Sequence, residues 1–238
     1  MCLPRLKDIR CTHVKESSND RDRRSEILAM KPALLKRISA ELEARGLKRL
    51  EPEAWTLAVR PGVELHVRLR SKWSVQSFWL EIGLGVRFED IEKVCAEAMG
   101  EPLMQKTGTL GADLRHLVDR KTASGWDFES EAQFEATAFE ALMATFDAGL
   151  AKMMAYTDRA RVRLLIDNAC AGIFEDPVTC RFHHYAPVVL YLDGEFGLAS
   201  EYLCNVLEDA KRRSGDQGSP FIDAYTRFSS ALHARMTH

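Results

Sequence analysis

The chain lacks any run of about 18 uncharged apolar residues, which is the length that a membrane-spanning helix needs. No short apolar segment follows the first residues, as it would in a secretory signal, so the sequence predicts a cytoplasmic protein without membrane contact. Six cysteines are scattered over 238 residues, and in a chain of this size that spacing does not indicate a disulfide framework. We therefore expect reduced thiols.

Common enzyme motifs are missing as well. The chain has no Gly-x-x-x-x-Gly-Lys-Ser/Thr phosphate-binding loop, no Gly-x-Gly-x-x-Gly fingerprint, no His-Glu-x-x-His motif and no Gly-x-Ser-x-Gly turn. These absences disfavour most enzymes built on nucleotide-binding or hydrolase scaffolds. They predict a protein without a cofactor or a bound metal ion, and they favour a non-catalytic role.

What is present is an ordinary globular composition, 46% hydrophobic and 29% charged. Charge is unevenly distributed, because residues 1–72 carry 17 Lys and Arg against 10 Asp and Glu, whereas residues 73–157 carry 7 against 14. A basic face could bind an acidic protein or nucleic acid, or the two segments could face each other. The sequence pI of about 6.4 makes nucleic acid the less favoured partner.

Three regions follow from the pattern along the chain. Residues 1–29 include a stretch from Lys15 to Glu26 without any apolar side chain, which predicts a mobile N-terminal extension. Residues 30–128 form an α/β unit, and residues 129–238 form a helical region. The two larger regions are either separate domains or parts of one shared core.

The α/β unit is predicted to be a helix followed by a small antiparallel meander. Apolar residues recur at helical spacing from Met30 until Gly46 stops the helix. Alternating apolar residues then predict strands over residues 55–59, 63–69 and 78–84, with Pro61-Gly62 as a type II turn. A helix follows over residues 88–99, and residues 101–128 are mostly irregular.

The C-terminal half is predicted to be mainly helical. Apolar spacing places helices over residues 130–153, 159–171, 186–192 and 198–213, and a last helix starts at Pro220 with Ser219 as its cap. The predicted fold class is therefore α+β, with an N-terminal helix and a small antiparallel meander before a helical half.

The best candidate for a binding site is the polar side of the second predicted strand. Arginine there offers bidentate hydrogen bonds to carboxylate or phosphate groups, and neighbouring tryptophans could flank them. The alternative is a solvated sheet face, or one paired internally with Glu81. The candidate binding residues are Lys48, Arg49, His66, Arg68, Arg70, Lys72 and Trp73.

Two groups of residues could serve an enzyme instead. Asp113, His116 and Asp119 stand three apart, which would align them along one side of a helical turn, where a carboxylate can orient a histidine as a general base. No nucleophile accompanies them, and a solvated helix face explains the same spacing.

The second group lies in the C-terminal half. Cys180 and His183 have the spacing of one zinc-ligand pair, with His184 beside them and Cys170 ten residues earlier. A second ligand pair is missing, so we expect histidines in a loop rather than a metal centre.

The order of elements resembles an uncharacterised bacterial family, domain of unknown function 4304. The matching features are the opening helix, Gly46-Leu47-Lys48-Arg49, a strand led by Trp55, Ser71-Lys72-Trp73 and the strand from Phe78 to Leu84. The resemblance covers about residues 31–128. It implies an α+β fold and supplies no activity, catalytic residue or cofactor.

Separated charge and missing catalytic motifs predict a bacterial-type accessory protein that binds another macromolecule, most simply a protein. An immunity-like or antitoxin-like protein that masks its partner's site is one form of this hypothesis. The alternatives are an enzyme that uses either group above, and a weak nucleic-acid binder that uses the basic sheet face. The sequence does not indicate the oligomeric state.

Overall fold

A computed structural model describes residues 18–73, 78–103, 108–118, 126–128, 137–171, 173, 176–214 and 219–237. The predicted α+β class is confirmed, with an N-terminal helix, an antiparallel sheet meander and a mainly helical C-terminal half. No helix in these residues has the length and apolar character needed to cross a membrane.

The first helix, α1 (Ser18–Ala44), begins earlier than the predicted start at Met30. Arginine and glutamate are good helix formers, so a charged segment can be helical without a buried face. Residues 1–17 lie outside the described part, and the mobility of the extension stays a prediction. After α1, Gly46 takes a φ of +85°, which glycine adopts without steric cost.

Four strands follow as consecutive antiparallel pairs: β1 (Lys48–Glu51), β2 (Ala54–Arg60), β3 (Val63–Trp73) and β4 (Phe78–Phe88). The last three are the predicted strands, and Gly62 has the positive φ that the predicted turn requires. The sequence analysis missed β1, because its four residues do not alternate between apolar and polar.

Three short strands complete the sheet. Both β5 (Leu110–Asp113) and β6 (Trp126–Phe128) pair with β4, and β7 (Thr179–Cys180) pairs with β5. The main strand order is β1-β2-β3-β4-β5-β7, with β6 beside β4. Through β7, the C-terminal half contributes a strand to the sheet of the N-terminal unit.

The helices after the meander largely follow the prediction. Helix α2 (Glu89–Met99) is confirmed, and α3 (Leu114–Leu117) is a single turn after β5. The predicted start of the next helix, at residue 130, lies outside the described residues, and α4 is described over Thr137–Met154. The remaining helices are α5 (Arg159–Cys170), α6 (Phe182–Leu192), α7 (Phe196–Ser214) and α8 (Pro220–Met236).

Two details of these helices differ from the prediction. Helix α6 starts at Phe182 rather than at residue 186, so the two histidines expected in a loop lie in its first turn. Ser219 occupies the N-cap position of α8, as predicted, but its side chain makes no capping hydrogen bond.

The core lies on one face of the sheet. Val63, Leu65, Val67 and Leu69 of β3 are buried there by the alternation of side chains along a strand. Buried residues of α1, α2, α4, α6 and α8 belong to the same hydrophobic cluster. The helical half and the α/β unit therefore share one core in the described part of the chain.

Candidate functional site

The opposite side of the sheet, here called the polar face, is built by the other residues of β3 and their partners. Side chains of directly paired residues point to the same side of a sheet. His66 thus lies between Thr56 and Gly85, and Glu64 lies opposite Arg87. The polar face consists of Lys48, Glu51, Ala54, Thr56, Ala58, Glu64, His66, Arg68, Arg70, Trp79, Glu81, Gly83, Gly85, Arg87, Gly111, Asp113 and Thr179.

The structure brings only part of the predicted cationic group together. Lys48, Arg68 and Arg70 are exposed on the polar face, and Lys48 makes no ion pair with another described residue. Arg49 pairs with Trp55 and therefore lies on the core side, where its guanidinium is 5.9 Å from the Trp55 ring. Adjacent residues of a strand point to opposite faces, so Arg49 is separated from Lys48 in β1, and its role in binding stays a prediction.

Lys72 and Trp73 belong to the last part of β3. Their backbones pair with those of Trp79 and Phe78, which continues the β3–β4 ladder. Their side chains lie outside the described part, so their place in the binding group stays a prediction.

Two arginines at the polar face lie near carboxylates. Arg68 lies 3.9 Å from a carboxylate oxygen of Glu51, and Arg115 lies 3.3 Å from Glu81. Arg70 is the cross-strand partner of Glu81, yet it makes no ion pair within the described residues. The predicted internal pairing of Glu81 exists, but its cation comes from α3 rather than from β3.

Arg87 is the exception, because it is both buried and unpaired. Only 6% of the residue is exposed, and its Nε atom is buried without a hydrogen-bond partner. Glu64 is its register partner, but within the described residues no carboxylate forms an ion pair with Arg87. A buried guanidinium without a counter-charge costs free energy that an incoming anion would offset.

His66 shares this environment. The ring is buried, and its Nε2 lies 3.4 Å from a carboxylate oxygen of Glu64. Burial lowers the pKa of His66, the positive charge of Arg87 lowers it further, and Glu64 opposes both effects. Because a lowered pKa keeps His66 neutral at pH 7, Arg87 carries the positive charge at this point of the polar face.

Arg87 lines an open groove of about 720 Å³, here called the sheet groove. Leu50 and Leu103 stand at its rim and are 45% and 39% exposed. The groove thus combines a buried cation with two apolar contacts. Its lining residues are Leu50, Thr56, Ala58, Val59, Arg60, Pro61, Gly62, Glu64, Arg87, Glu89 and Leu103.

The sequence analysis missed Arg87. Alternation along β4 could have placed it on the polar face, because Glu81, Gly83 and Gly85 precede it at every second position. That Arg87 has no ion pair among the described residues depends on the strand register, which a single sequence does not reveal.

The structure describes two residues of the first predicted catalytic group. Asp113 ends β5 and lies 3.4 Å from Arg115, while His116 is exposed on α3. Asp119 lies outside the described residues. The prediction required one helix that contains all three residues. Helix α3 starts after Asp113 and ends at Leu117, so it does not align them along one side.

The second predicted group lines a cavity of about 740 Å³ between α5, α6, α7 and α8, here called the helical pocket. Cys170, Cys180 and His183 all reach it, but no group of three metal-binding side chains exists in the described residues. Burial raises the pKa of Cys180 to about 12, so its thiol is protonated and a poor nucleophile.

His184 points elsewhere. Its ring makes edge contacts with Tyr225 and Phe228, at centroid distances of 5.5 and 5.0 Å. Burial, helped by the charges of His183 and Arg181, lowers its pKa. His184 is therefore a packing residue between α6 and α8 rather than a metal ligand.

Comparison with protein-family models, curated proteins and solved structures gave no match to this chain. The resemblance to domain of unknown function 4304 therefore stays a prediction. The geometry of the polar face and of the helical pocket is the basis for the proposals below.

Proposed function

We propose that this is a non-catalytic binding protein that receives an acidic segment of a protein partner in the sheet groove. The observation that carries the proposal is Arg87, which is 6% exposed, has a buried Nε without a hydrogen-bond partner and makes no ion pair among the described residues. A carboxylate of the partner would supply that charge through short, strong hydrogen bonds.

The groove's rim supports a protein as the partner. Leu50 and Leu103 are exposed large apolar side chains that line the same groove as Arg87. Protein interfaces combine apolar contacts with a few placed polar groups, and arginine is enriched among the residues that dominate their affinity. Nucleic acid is the less favoured partner, because nucleic-acid-binding domains are typically basic and this chain has a sequence pI of about 6.4.

The outer cations contribute at longer range. Lys48, Arg68 and Arg70 are exposed on the same face as Arg87. Such charges accelerate association with an acidic surface more than they add to final affinity. We expect Arg87 to govern how long the complex lasts, and the outer cations to govern how fast it forms.

Masking of a partner's site, as an immunity or antitoxin protein does, is one form of this function. For this function we propose a location in the cytoplasm of a bacterial-type cell. The free thiols of Cys95, Cys170, Cys180 and Cys204 suit a reducing compartment.

The test is site-specific photo-crosslinking in the native host. A benzoylphenylalanine replaces Leu50 at the groove, and a matched control replaces Leu164, which is similarly exposed on α5. We expect a protein adduct from position 50 only, with the crosslinked peptide rich in Asp or Glu. Adding Arg87→Gln should remove that adduct.

Several results would contradict the proposal. Equal adducts from positions 50 and 164 would indicate unspecific contact. An adduct with nucleic acid, or a peptide without acidic residues, would exclude the stated partner. An adduct that persists in Arg87→Gln would show that the buried guanidinium does not bind it.

A further inference from the structure

The helical pocket has the size of the cavities that small ligands occupy. Its volume of about 740 Å³ lies within the usual range for such sites. Helix α7 forms one wall, and the ends of α5, α6 and α8 close it. The lining residues are Ala169, Cys170, Cys180, Arg181, Phe182, His183, Tyr202, Asn205, Val206, Asp209, Ala210, Arg213, Ser214 and Phe221.

The walls of the pocket are largely apolar and aromatic. Phe182, Tyr202 and Phe221 come from three different helices, and Val206 lies one turn after Tyr202 on α7. The Phe221 ring stacks on Tyr225 at 5.4 Å, which holds it at the pocket. Flat or extended apolar groups fit such walls because they bury area without unpaired polar atoms.

The pocket carries an excess of positive charge. Asp209 is neutralised by Arg212 at 3.0 Å and Arg213 at 2.8 Å. Arg181 makes no ion pair or side-chain hydrogen bond within the described part of the chain, and it stands at the N-terminal end of α6. The dipole of α6 adds to its attraction for an anion.

A neutral hydrogen-bond donor accompanies this cation. The hydroxyl of Tyr202 bonds to no other residue in the described part, and burial raises its pKa, so it stays protonated. Cys180 is protonated as well, so its thiol is a poor nucleophile.

We propose that the helical pocket binds a small carboxylic acid with an apolar body. The carboxylate pairs with Arg181 at the start of α6, and the apolar body lies among Tyr202, Val206 and Phe221. This site is separate from the sheet groove and does not depend on the function proposed there.

The test is calorimetric titration of the full-length protein with 1-naphthoate, and with 1-naphthalenemethanol as the uncharged analogue. We expect saturable binding of one naphthoate and at least about tenfold weaker binding of the alcohol, which cannot pair with a guanidinium. Arg181→Gln should weaken naphthoate by a similar factor. Asn205→Trp, which fills the pocket from an exposed position of α7, should abolish binding of both compounds.

Arg227→Gln is the matched control, because Arg227 is exposed on α8 and does not line the pocket. It should leave both affinities unchanged, and circular dichroism should show all three variants folded. The proposal fails if naphthoate does not bind the wild-type chain, or if the alcohol binds equally well. It also fails if binding survives both Arg181→Gln and Asn205→Trp, since the ligand would then occupy another surface.

Discussion

Arg87 has opposite effects on stability and on binding. Its burial without a counter-charge among the described residues is unfavourable in the free protein, and the same feature prepares it for a partner's carboxylate. We therefore predict that Arg87→Met raises the free energy of unfolding by about 1 kcal/mol, because methionine fills similar space without a charge. Urea denaturation measures the change.

The control for that substitution is Arg163→Met. Arg163 donates to Glu195 at 2.7 Å and to Asp167 at 2.8 Å, so its loss leaves two carboxylates without their cation. It should lower the free energy of unfolding by about 1 kcal/mol. If Arg87→Met destabilised the protein as much as Arg163→Met does, Arg87 would have a structural partner and the proposed binding role would lose its basis.

One buried and one half-buried imidazole predict destabilisation by acid. Burial lowers the pKa of both His66 and His184 in the folded protein, so the unfolded chain, with the ordinary value of 6.5, binds protons first. The two neutral rings contribute fully to the free energy of unfolding above pH 6.5. That contribution is lost as the pH falls below 6.5 toward the pKa values of the folded protein. His184→Gln should flatten the fall in melting temperature between pH 7 and pH 5.

The exposed His116 supplies the comparison. His116→Gln should leave the pH dependence of the melting temperature as in the wild-type chain. Parallel curves for wild type and His184→Gln would show that this half-buried ring does not contribute to the acid response.

At the scale of elements, two glycines of β4 provide a matched pair. A Cβ at Gly85 would lie 2.9 Å from the carbonyl oxygen of Leu110, whereas one at Gly83 would lie 3.7 Å from that of Arg68. We predict that Gly85→Ala destabilises the protein by about 1–3 kcal/mol, because β5 must move away from β4. Gly83→Ala should stay within about 0.5 kcal/mol of the wild type. Thermal unfolding followed by circular dichroism separates the two, and equal effects would contradict the close approach.

Elements with a strong period were predictable from the sequence. Val63, Leu65, Val67 and Leu69 alternate, so β3 and its buried face follow directly, and α2 follows from its helical spacing. Short elements such as β1 and β7 carry too few residues for a period. Their formation depends on a paired neighbour, which is a tertiary property.

The candidate site was predictable only in part. Alternation correctly placed Arg68 and Arg70 on one face, but Arg49 was grouped with them although its position in β1 turns it to the core side. The buried Arg87 and the convergence of Arg181 with Tyr202 arise from elements that meet only in the folded chain. A local sequence pattern does not predict such contacts between residues that are distant in sequence.

For the whole molecule, charge on the polar face should matter for association and not for folding. Arg68 has one distant ion pair and Arg70 has none among the described residues, so neither contributes much to stability. The double variant Arg68→Glu, Arg70→Glu should keep the melting temperature nearly unchanged and strongly reduce the photo-adduct at position 50. An undiminished adduct would show that the outer cations play no part in recruiting the partner.

The two halves of the chain also stabilise each other through α2. Cys95 contacts the carbonyl of His184 at 3.7 Å, and Arg235 pairs with Glu97 at 2.6 Å, so α6 and α8 both cover this helix. The shared hydrophobic cluster runs from α1 to α8.

We predict that residues 30–128 do not fold alone, because α2 would expose its buried apolar side to water. The full chain should unfold in one transition, with coincident curves from circular dichroism and tryptophan fluorescence. Two separate transitions, or a cooperative transition of the 30–128 fragment, would instead establish independent domains.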